Sequence, residues 1–105
     1  EVAGDDEEFL KELLLGFLGD SAVHVAGLSA MIEGGDVEGI RLTAHTLKGS
    51  AGNVGANHLA ALSLTLERAE AGTPREDLKG MANAMAEELR RVERFLKGAS
   101  MTAQG

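Results

Sequence analysis

The sequence is short of several residue types that build common functional sites. Its 105 residues include no cysteine, no tryptophan, no tyrosine and one proline. Without cysteine, no disulfide framework, thiolate metal site or cysteine nucleophile can exist. Three phenylalanines are the only aromatic residues, so the core must be mainly aliphatic. The same scarcity leaves no aromatic platform on which nucleic-acid bases could stack.

Positive charge is scarce as well. Ten lysines and arginines face 17 acidic residues, which gives a net charge of −7. Such a surface repels phosphate backbones and anionic lipid, so neither a nucleic acid nor a membrane is an expected partner. Near the C-terminus, basic residues alternate with Glu87, Glu88 and Glu93, which is typical of a solvated helix face. No apolar run is expected to reach the length of a membrane span, and the acidic N-terminus is unlike a signal peptide.

The remaining pattern predicts helices throughout, because apolar residues recur every three or four positions and no period-two alternation is present. Asp5 or Asp6 can cap a first helix. The broad apolar face of that helix is formed by Phe9, Leu10, Leu13, Leu14, Phe17 and Leu18. Asp20 or Ser21 can begin a second helix, which ends at the glycine pair 34–35.

The second half of the chain carries three more helix signals. Asp36 can cap a third helix, which is predicted to end or bend near Gly52 and Gly55 because glycine weakens helix propensity. A fourth helix is expected over residues 56–71. The last helix has the clearest start signal: an N-cap threonine, a proline at the first helical position and the glutamate of a capping box, at Thr73, Pro74 and Glu76.

These helices fit one all-α domain over residues 1–105, with its core over residues 6–97 and a frayed tail over residues 98–105. Short connections between amphipathic helices predict antiparallel neighbours, and therefore an up-down helical bundle. Because the chain begins with Glu rather than Met, we expect it to be a fragment of a longer protein.

Several familiar functional sites do not match the pattern. The glycine-rich run at residues 49–55 has neither the spacing of a dinucleotide fingerprint nor that of a P-loop, and no strand precedes it. The histidines His24, His45 and His58 include no pair four residues apart, so a zinc site is not expected. We interpret His24 and His58 as surface residues. The nucleophile elbow of a hydrolase is also missing.

His45 differs from the other histidines because it lies on the wrong side of its helix to be a core residue. With residues about 100° apart around the axis, one apolar stripe is formed by Val37, Ile40, Ala44, Leu47, Ala51 and Val54. His45 falls roughly 130° from the centre of that stripe and is predicted to point at solvent. Its neighbours on that face are Arg41, Lys48, Gly49 and Gly52.

An exposed neutral imidazole is a nitrogen nucleophile at cellular pH and can take up a phosphoryl group as phosphohistidine. Lys48, one turn later, can reach the oxygens of that group, and its charge disfavours the imidazolium. Arg41, one turn earlier, can do similar work or steer an acidic partner. Glycine in mid-helix costs about 1 kcal/mol relative to alanine. Gly49 therefore suggests a closely approaching partner backbone, whereas Gly52 is better explained by the loosening of a helix end.

Leu42 lies about 60° around the helix from His45 and off the core stripe. It is either an ordinary scattered surface leucine or part of a docking patch. Leu10, Leu14 and Leu18 raise the same question, because the first helix is apolar around more than half its circumference. Such a helix can be covered by the bundle on one side and by a partner on the other.

The central motif resembles the signature of histidine-containing phosphotransfer (HPt) domains, which serve in multistep His–Asp phosphorelays. The matching run is Ala44-His45-Thr46-Leu47-Lys48-Gly49-Ser50-Ala51, followed by Gly55-Ala56. Flanking positions that fit the family are Phe9, Leu13, Phe17, Gly35-Asp36, Leu59, Leu66-Glu67 and Ala71-Gly72. The resemblance thus covers residues 9–72 with specific features, and the last helix by pattern only.

The resemblance implies a four-helix bundle with an additional short N-terminal helix. It also implies that His45 accepts a phosphoryl group from the aspartyl phosphate of a response-regulator receiver domain and donates it to another receiver. Lys48 would lie beside the phosphoryl group, and Gly49 would leave room for the receiver's loops. The receiver would supply the acidic pocket and its Mg²⁺, so no cofactor is expected on this domain. The expected partner-binding residues are Arg41, Leu42 and Gly52.

Two alternatives stay open at this point. The chain could be an interaction module that no longer transfers phosphoryl groups, or the phosphoacceptor domain of a chemotaxis-type kinase, which receives its phosphoryl group from an ATP-binding domain. Residues 46–50 favour the relay type, within a hybrid sensor histidine kinase. We expect a monomer in the cytoplasm, on its own or as the cytoplasmic part of a membrane-anchored kinase. Autokinase activity is not expected, because no ATP site is visible.

Overall fold

The computed structural model describes the backbone of residues 2–104 and the side chains of residues 7–98. Over that part of the chain the structure consists of four helices and contains no strand. The helices are α1 (Val2–Gly34), α2 (Val37–Asn53), α3 (Asn57–Glu67) and α4 (Arg75–Gln104). The predicted all-α class is therefore confirmed.

Two glycine turns separate the first three helices. Gly35 and Gly55 have positive φ angles of 69° and 79°, a region that glycine enters without the steric cost of a Cβ. The Asp36 N–H donates to the Met31 carbonyl at 2.9 Å, and an equivalent bond of 2.8 Å closes the end of α2. Both turns are therefore Schellman motifs, in which the αL glycine lets the last carbonyls of the helix find donors. The helix ends predicted at these glycines are confirmed.

Asp36 begins α2 as the sequence predicts. Its carboxylate accepts a hydrogen bond of 3.0 Å from the Gly39 N–H, which satisfies one of the free donors of the first turn. This cap fixes where the helix starts, and with it which residues face the core and which face solvent.

The four helices form a closed ring of contacts. α1 packs against α2 and α4, and α3 packs against the same two helices. The core inside the ring is aliphatic apart from one aromatic ring, and consists of Phe17, Val25, Leu28, Ile32, Ile40, Ala44, Leu47, Ala51, Leu59, Leu66, Ala82, Met85 and Leu89. The predicted stripe of α2 supplies four of these residues, while Val37 and Val54 at its ends are less buried.

The predicted division of the N-terminal region into two helices is wrong. α1 runs without a break from Val2 to Gly34, so the described chain has no additional short N-terminal helix. Glycine costs a helix about 1 kcal/mol, and neither Gly19 nor Asp20 blocks the backbone as proline would. Packing on both sides of this position holds the segment helical, since Phe17 and Ser21 are both buried. The proposed caps Asp5 and Asp6 follow the helix start, and their side chains lie outside those described.

The continuous α1 also overturns the expectation that no apolar run reaches the length of a membrane span. Glu7–Gly34 is long and apolar enough to cross a membrane, with a mean hydropathy of 1.4 in its best window, of which 28% is buried. The second half of this helix supplies core residues, among them Leu28 and Ile32. The first turns of this span leave apolar side chains open to solvent, with Phe9, Leu10 and Leu13 all exposed. A helix that buries one face against a bundle passes the same test of length and composition.

α4 differs from its predicted form at both ends. The capping box does not form, because the Thr73 hydroxyl donates to the Glu70 carbonyl at 2.7 Å and the helix begins only at Arg75. The Pro74 carbonyl accepts the first helical bonds, from the N–H groups of Asp77 and Leu78. At the other end, the backbone stays helical to Gln104 rather than fraying from residue 98.

Candidate functional site

The solvent-facing side of α2 carries the histidine that the sequence singles out. The His45 side chain is 62% exposed, while Ala44 and Leu47 on the opposite side are buried. The predicted exposure of His45 is confirmed, since the stripe that anchors α2 in the core turns this ring outward. Leu42, on the same open side, is 66% exposed.

Glu67, the last residue of α3, holds the ring of His45. The two residues are 22 positions apart in the chain, and His45 Nδ1 lies 2.9 Å from Glu67 Oε2. An ionised carboxylate only accepts hydrogen bonds, so the proton of the bond belongs to Nδ1. In the neutral ring Nε2 then has a free lone pair, on a side chain that is largely exposed.

Lys48 occupies the other oxygen of the same carboxylate. Its Nζ lies 2.9 Å from Glu67 Oε1, and its side chain is 34% exposed. Glu67 itself is only 20% exposed. One carboxylate thus joins the imidazole and the ammonium group of α2 to the end of α3. The sequence places Lys48 beside a phosphoryl group, whereas in this structure its ammonium is bound to Glu67.

The charges around Glu67 keep its carboxylate ionised. The ion pair with Lys48, followed by the hydrogen bond from His45, lowers the pKa of Glu67 below its ordinary value. Partial burial acts in the opposite direction but does not prevail. At neutral pH Glu67 is therefore an acceptor for both partners, which supports the assignment of the His45 proton to Nδ1.

The other predicted partner-binding residues flank His45. Arg41 lies one turn before it and is within 3.8 Å of Glu38 Oε2, an exposed ion pair on the same helix. Such a pair contributes little to stability and leaves the guanidinium free to engage another anion. Arg41 and Leu42 are both exposed on the open side of α2, where an approaching molecule would meet them together with His45.

Gly49 and Gly52 leave an open strip beside the ring. A Cβ added at either position would meet no atom within 4 Å outside the neighbouring helix backbone. The packing of this chain therefore gives no reason for glycine at these positions, although glycine weakens the helix. The absence of side chains lets another backbone come closer to His45 than any larger residue would allow.

Glu67 is the site residue that sequence reasoning missed. It entered only as a flanking match of the resemblance, without a role. One local signal was available, because Glu67 is the only acidic residue of the eleven in α3. A lone carboxylate at the end of a helix that has no other acidic residue is a candidate partner for a cation or an imidazole. Its actual partner depends on how α3 packs against α2, which local pattern does not reveal.

With this geometry established, comparison with known families decides the membership of the chain. The family model described as the Hpt domain matches residues 12–95. The chain belongs to the Hpt domain family. Searches of curated proteins and of solved structures find no match. Membership implies histidine phosphotransfer within a phosphorelay and interaction with receiver domains, and the all-helical fold agrees with the helical bundle of the family.

A second group of similar residues lies elsewhere in this Hpt domain, between α3 and α4. Glu88 is 7% exposed and accepts two bonds from Arg91, of 3.0 and 2.7 Å. His58, on the first turn of α3, is 64% exposed, and its Nε2 lies 4.0 Å from Glu88 Oε1. The hydrogen bond from Arg91 is the main cause that lowers the pKa of Glu88. The interpretation of Glu88 as part of a solvated face is therefore wrong, because its side chain is buried.

Proposed function

We propose that His45 is the phosphoacceptor of this Hpt domain and that its Nε2 atom carries the phosphoryl group. The observation that supports this assignment most is the 2.9 Å bond between Nδ1 and Glu67, which leaves the lone pair of Nε2 free on the exposed side of the ring. His24 and His58 have no comparable hydrogen bond among the described side chains.

The transfer needs no proton to leave the imidazole. Nε2 attacks the phosphorus of an aspartyl phosphate on a receiver, the N–P bond forms, and the O–P bond breaks with its electron pair returning to the aspartate carboxylate. The product ring keeps its proton on Nδ1 and carries a positive charge. Glu67 stabilises that charge through the same hydrogen bond, which strengthens as the ring becomes cationic.

The partner proposed for this exchange is the receiver domain of a response regulator. Alignment and charge stabilisation account for most of phosphoryl transfer, so a rigid helix that presents one imidazole suffices as half of the site. The receiver would bring the acidic pocket and its Mg²⁺, and this domain would bind no cofactor. Gly49 and Gly52 would admit the receiver's loops, while Arg41 and Leu42 would contact its surface.

The proposal extends to the arrangement of the helices, the oligomeric state and the location of the domain. The three interhelical connections are short and consecutive helices pack against each other, which supports an antiparallel up-down arrangement. One exposed imidazole can serve in a single copy, so we propose a monomer. The net charge of −7 opposes contact with anionic membranes. We place the domain in the cytoplasm, within a hybrid sensor histidine kinase.

The proposal is tested by transfer of labelled phosphoryl groups. Receiver domains are loaded from radiolabelled acetyl phosphate, separated from it and mixed with this domain. We expect label on the domain that is lost in acid and retained in base, as for phosphohistidine. The label should be absent from the His45→Gln variant and unchanged in the matched control His58→Gln. Label that survives in His45→Gln would refute the assignment, and labelling by ATP and Mg²⁺ alone would refute the relay role.

A further inference from the structure

We propose that a groove between α1 and α4 is a docking surface for an amphipathic helix of a partner, with acidic residues along one edge of that helix. This inference goes beyond phosphotransfer and does not depend on it. The groove has a volume of about 560 Å³ and is lined by residues of these two helices. Its α1 wall extends from Leu15 to Ser29, and its α4 wall extends from Ala82 to Glu93.

The groove and the proposed acceptor lie on opposite sides of the bundle. In the ring of contacts, α1 packs against α2 and α4, and α3 packs against the same two helices. The pair α1 and α4 is therefore opposite to the pair α2 and α3, on which Glu67 contacts His45. A helix bound in the groove leaves the acceptor open to a receiver.

The α1 side of the groove presents an exposed apolar face. Asp20 is the only acidic or basic residue, histidine apart, among residues 13–32. Leu15, in the groove, is 46% exposed, and Val23, next to the groove residue Ala22, is 72% exposed. Ala22 itself is exposed as well. An apolar face of this length on the solvent side of a helix is typical of a surface that another chain covers.

The dimensions of the groove fit a single helix. Along α1, Leu15 and Ser29 are about 21 Å apart, which corresponds to about four helical turns. The α1 wall contains a set of residues at alternating spacings of four and three, the pattern with which two helices pack side by side. They are Leu15, Gly19, Ala22, Ala26 and Ser29. Most of these side chains are small, so the axis of a partner helix can come close.

The α4 edge of the groove is positively charged although the chain carries a net charge of −7. Arg90 lines the groove, Arg94 follows it one turn later, and both are exposed. Neither forms an ion pair among the described side chains. The acidic Glu93 in the groove is already paired with Lys97, with 3.3 Å between Oε2 and Nζ. Glu87 lies one turn before Arg90, so the second half of this edge keeps two unpaired arginines.

These charges determine the chemistry of the partner. Glutamates or aspartates on one edge of a docked helix would lie beside Arg90 and Arg94, while its apolar stripe packs against α1. Complementary charge of this kind orients the helix and raises its association rate. A second copy of this chain is a poorer occupant, because two molecules with a net charge of −7 repel each other. A neutral lipid surface would leave both arginines without a partner.

The first test titrates the ¹⁵N-labelled domain with two synthetic peptides of about 21 residues, a length at which an isolated helix is stable enough to study. Both peptides carry the same apolar stripe of alanine and leucine, with glutamates along its edges in one peptide and lysines in the other. The acidic peptide should shift the amide signals of Ala22, Ala26 and Ala86, and not that of Gly49. The basic peptide should bind about tenfold more weakly.

Two pairs of variants separate the effect of charge from that of shape. Arg90→Glu should weaken binding of the acidic peptide by about tenfold and strengthen binding of the basic one. Its control is Arg75→Glu, which makes the same change on α4 outside the groove and should alter either affinity by less than about twofold. Ala26→Gln should obstruct the groove and weaken both peptides by about tenfold, whereas Ala61→Gln on α3 should weaken neither. All four positions are exposed, so the variants are expected to fold.

Several outcomes would overturn the inference. They are equal affinity of the two peptides, failure of both peptides to bind, and equal effects of Arg90→Glu and Arg75→Glu. Sedimentation of the domain alone tests a second copy as the occupant, and flotation with phosphatidylcholine vesicles tests lipid. A dimer that Ala26→Gln dissociates, or vesicle binding that Ala26→Gln abolishes, would replace the proposed partner.

The last measurement keeps this inference separate from the proposed function. His45 is phosphorylated by phosphoramidate, a small donor that needs no receiver, with and without saturating acidic peptide. The P–N bond of the donor breaks, ammonia leaves, and the new bond forms at a ring nitrogen. The rate should be the same in both samples, and a slower rate with peptide would show that the peptide covers the acceptor instead of the groove. If His45 is never phosphorylated, the proposed function fails, while the peptide titrations still decide the docking surface.

Discussion

Among the described residues, two groups contain the same three kinds of residue, a histidine, a glutamate and a cation, yet the contacts within them differ. In the first, Glu67 contacts both His45 and Lys48 at 2.9 Å. In the second, Glu88 is paired with Arg91, and the Nε2 atom of His58 lies 4.0 Å from Glu88 Oε1. The first carboxylate organises the imidazole, whereas the second mainly organises the guanidinium of its own helix.

The residues one turn after each of the two histidines also differ. One turn after His45, the chain places Lys48 and then the open Gly49. One turn after His58, it places Ala61 and Leu62. Under the proposed function, an acceptor needs a fixed tautomer and an open approach to the ring. Among the described histidines, the hydrogen bond to a carboxylate and the neighbouring open glycine occur together at His45.

Replacing the glutamate of each group should have its largest effect on the rate of phosphoryl acceptance. Glu67→Gln removes a charged hydrogen-bond partner of the ring, and transfer should slow by about 10–100-fold because the ring is no longer held in one orientation. Glu88→Gln serves as the matched change in the second group and should leave the rate within about twofold. Single-turnover transfer from a phosphorylated receiver measures both rates. Equal losses in the two variants would show that the effect reflects general stability rather than the orientation of His45.

The open approach beside His45 can be removed without touching either carboxylate. Gly49→Ala should slow transfer from a receiver by about tenfold, because a displacement of the reacting atoms by a fraction of an ångström is costly. Phosphorylation by phosphoramidate should be unaffected, since a small donor needs no such clearance. The control is Gly80→Ala on α4, where an added Cβ also meets open space. If Gly49→Ala transfers at the wild-type rate, the open strip has no part in docking.

Substitution by alanine should change the free energy of unfolding in opposite directions at Gly55, which ends α2, and at Gly49, which lies beside His45. Gly55 has a φ of 79°, so Gly55→Ala should lower the free energy of unfolding by about 1–2 kcal/mol. Gly49 lies in regular helix, and Gly49→Ala should raise it by about 0.5–1 kcal/mol. Urea unfolding monitored by circular dichroism measures both changes. Destabilisation by Gly49→Ala would mean that this position has an internal packing role.

The smallest effect concerns the stability of the two groups in acid. The pKa values of both Glu67 and Glu88 are lowered by their partners in the folded state. Each therefore contributes stability that is fully present above the pKa of the unfolded chain, about 4.3, and is lost as the pH falls through the lower folded value. The double variant Glu67→Gln, Glu88→Gln should be less stable at pH 7 and should lose less stability between pH 5 and pH 3. If the free energy of unfolding of the double variant falls with pH as steeply as that of the wild type in this range, the assigned pairs are contradicted.

Much of this architecture could be predicted because its causes are local. The stripe of α2, the cap at Asp36 and the αL glycines at Gly35 and Gly55 all follow from residues within a few positions of each other. The exposure of His45 follows from the same stripe. These features depend on helix geometry and backbone sterics, which act over one or two turns.

The failures have causes that lie beyond one or two turns. Whether the chain breaks near Gly19 depends on how well the residues on both sides pack against α2 and α4, and here packing prevails over propensity. Glu67 meets His45 only because α3 returns alongside α2. At Thr73, two local hydrogen bonds compete, and the hydroxyl bonds to the preceding turn rather than to the helix that follows.

The central claim is that Nε2 of His45 accepts the phosphoryl group while Glu67 holds the proton on Nδ1. Correlation NMR of the ¹⁵N-labelled domain, phosphorylated by a receiver, observes both nitrogens and the bound phosphorus at once. We predict a phosphorus coupling to Nε2 of His45, with a slowly exchanging proton on Nδ1. A phosphoryl group on Nδ1 of His45, or on the ring of His58, would contradict the account.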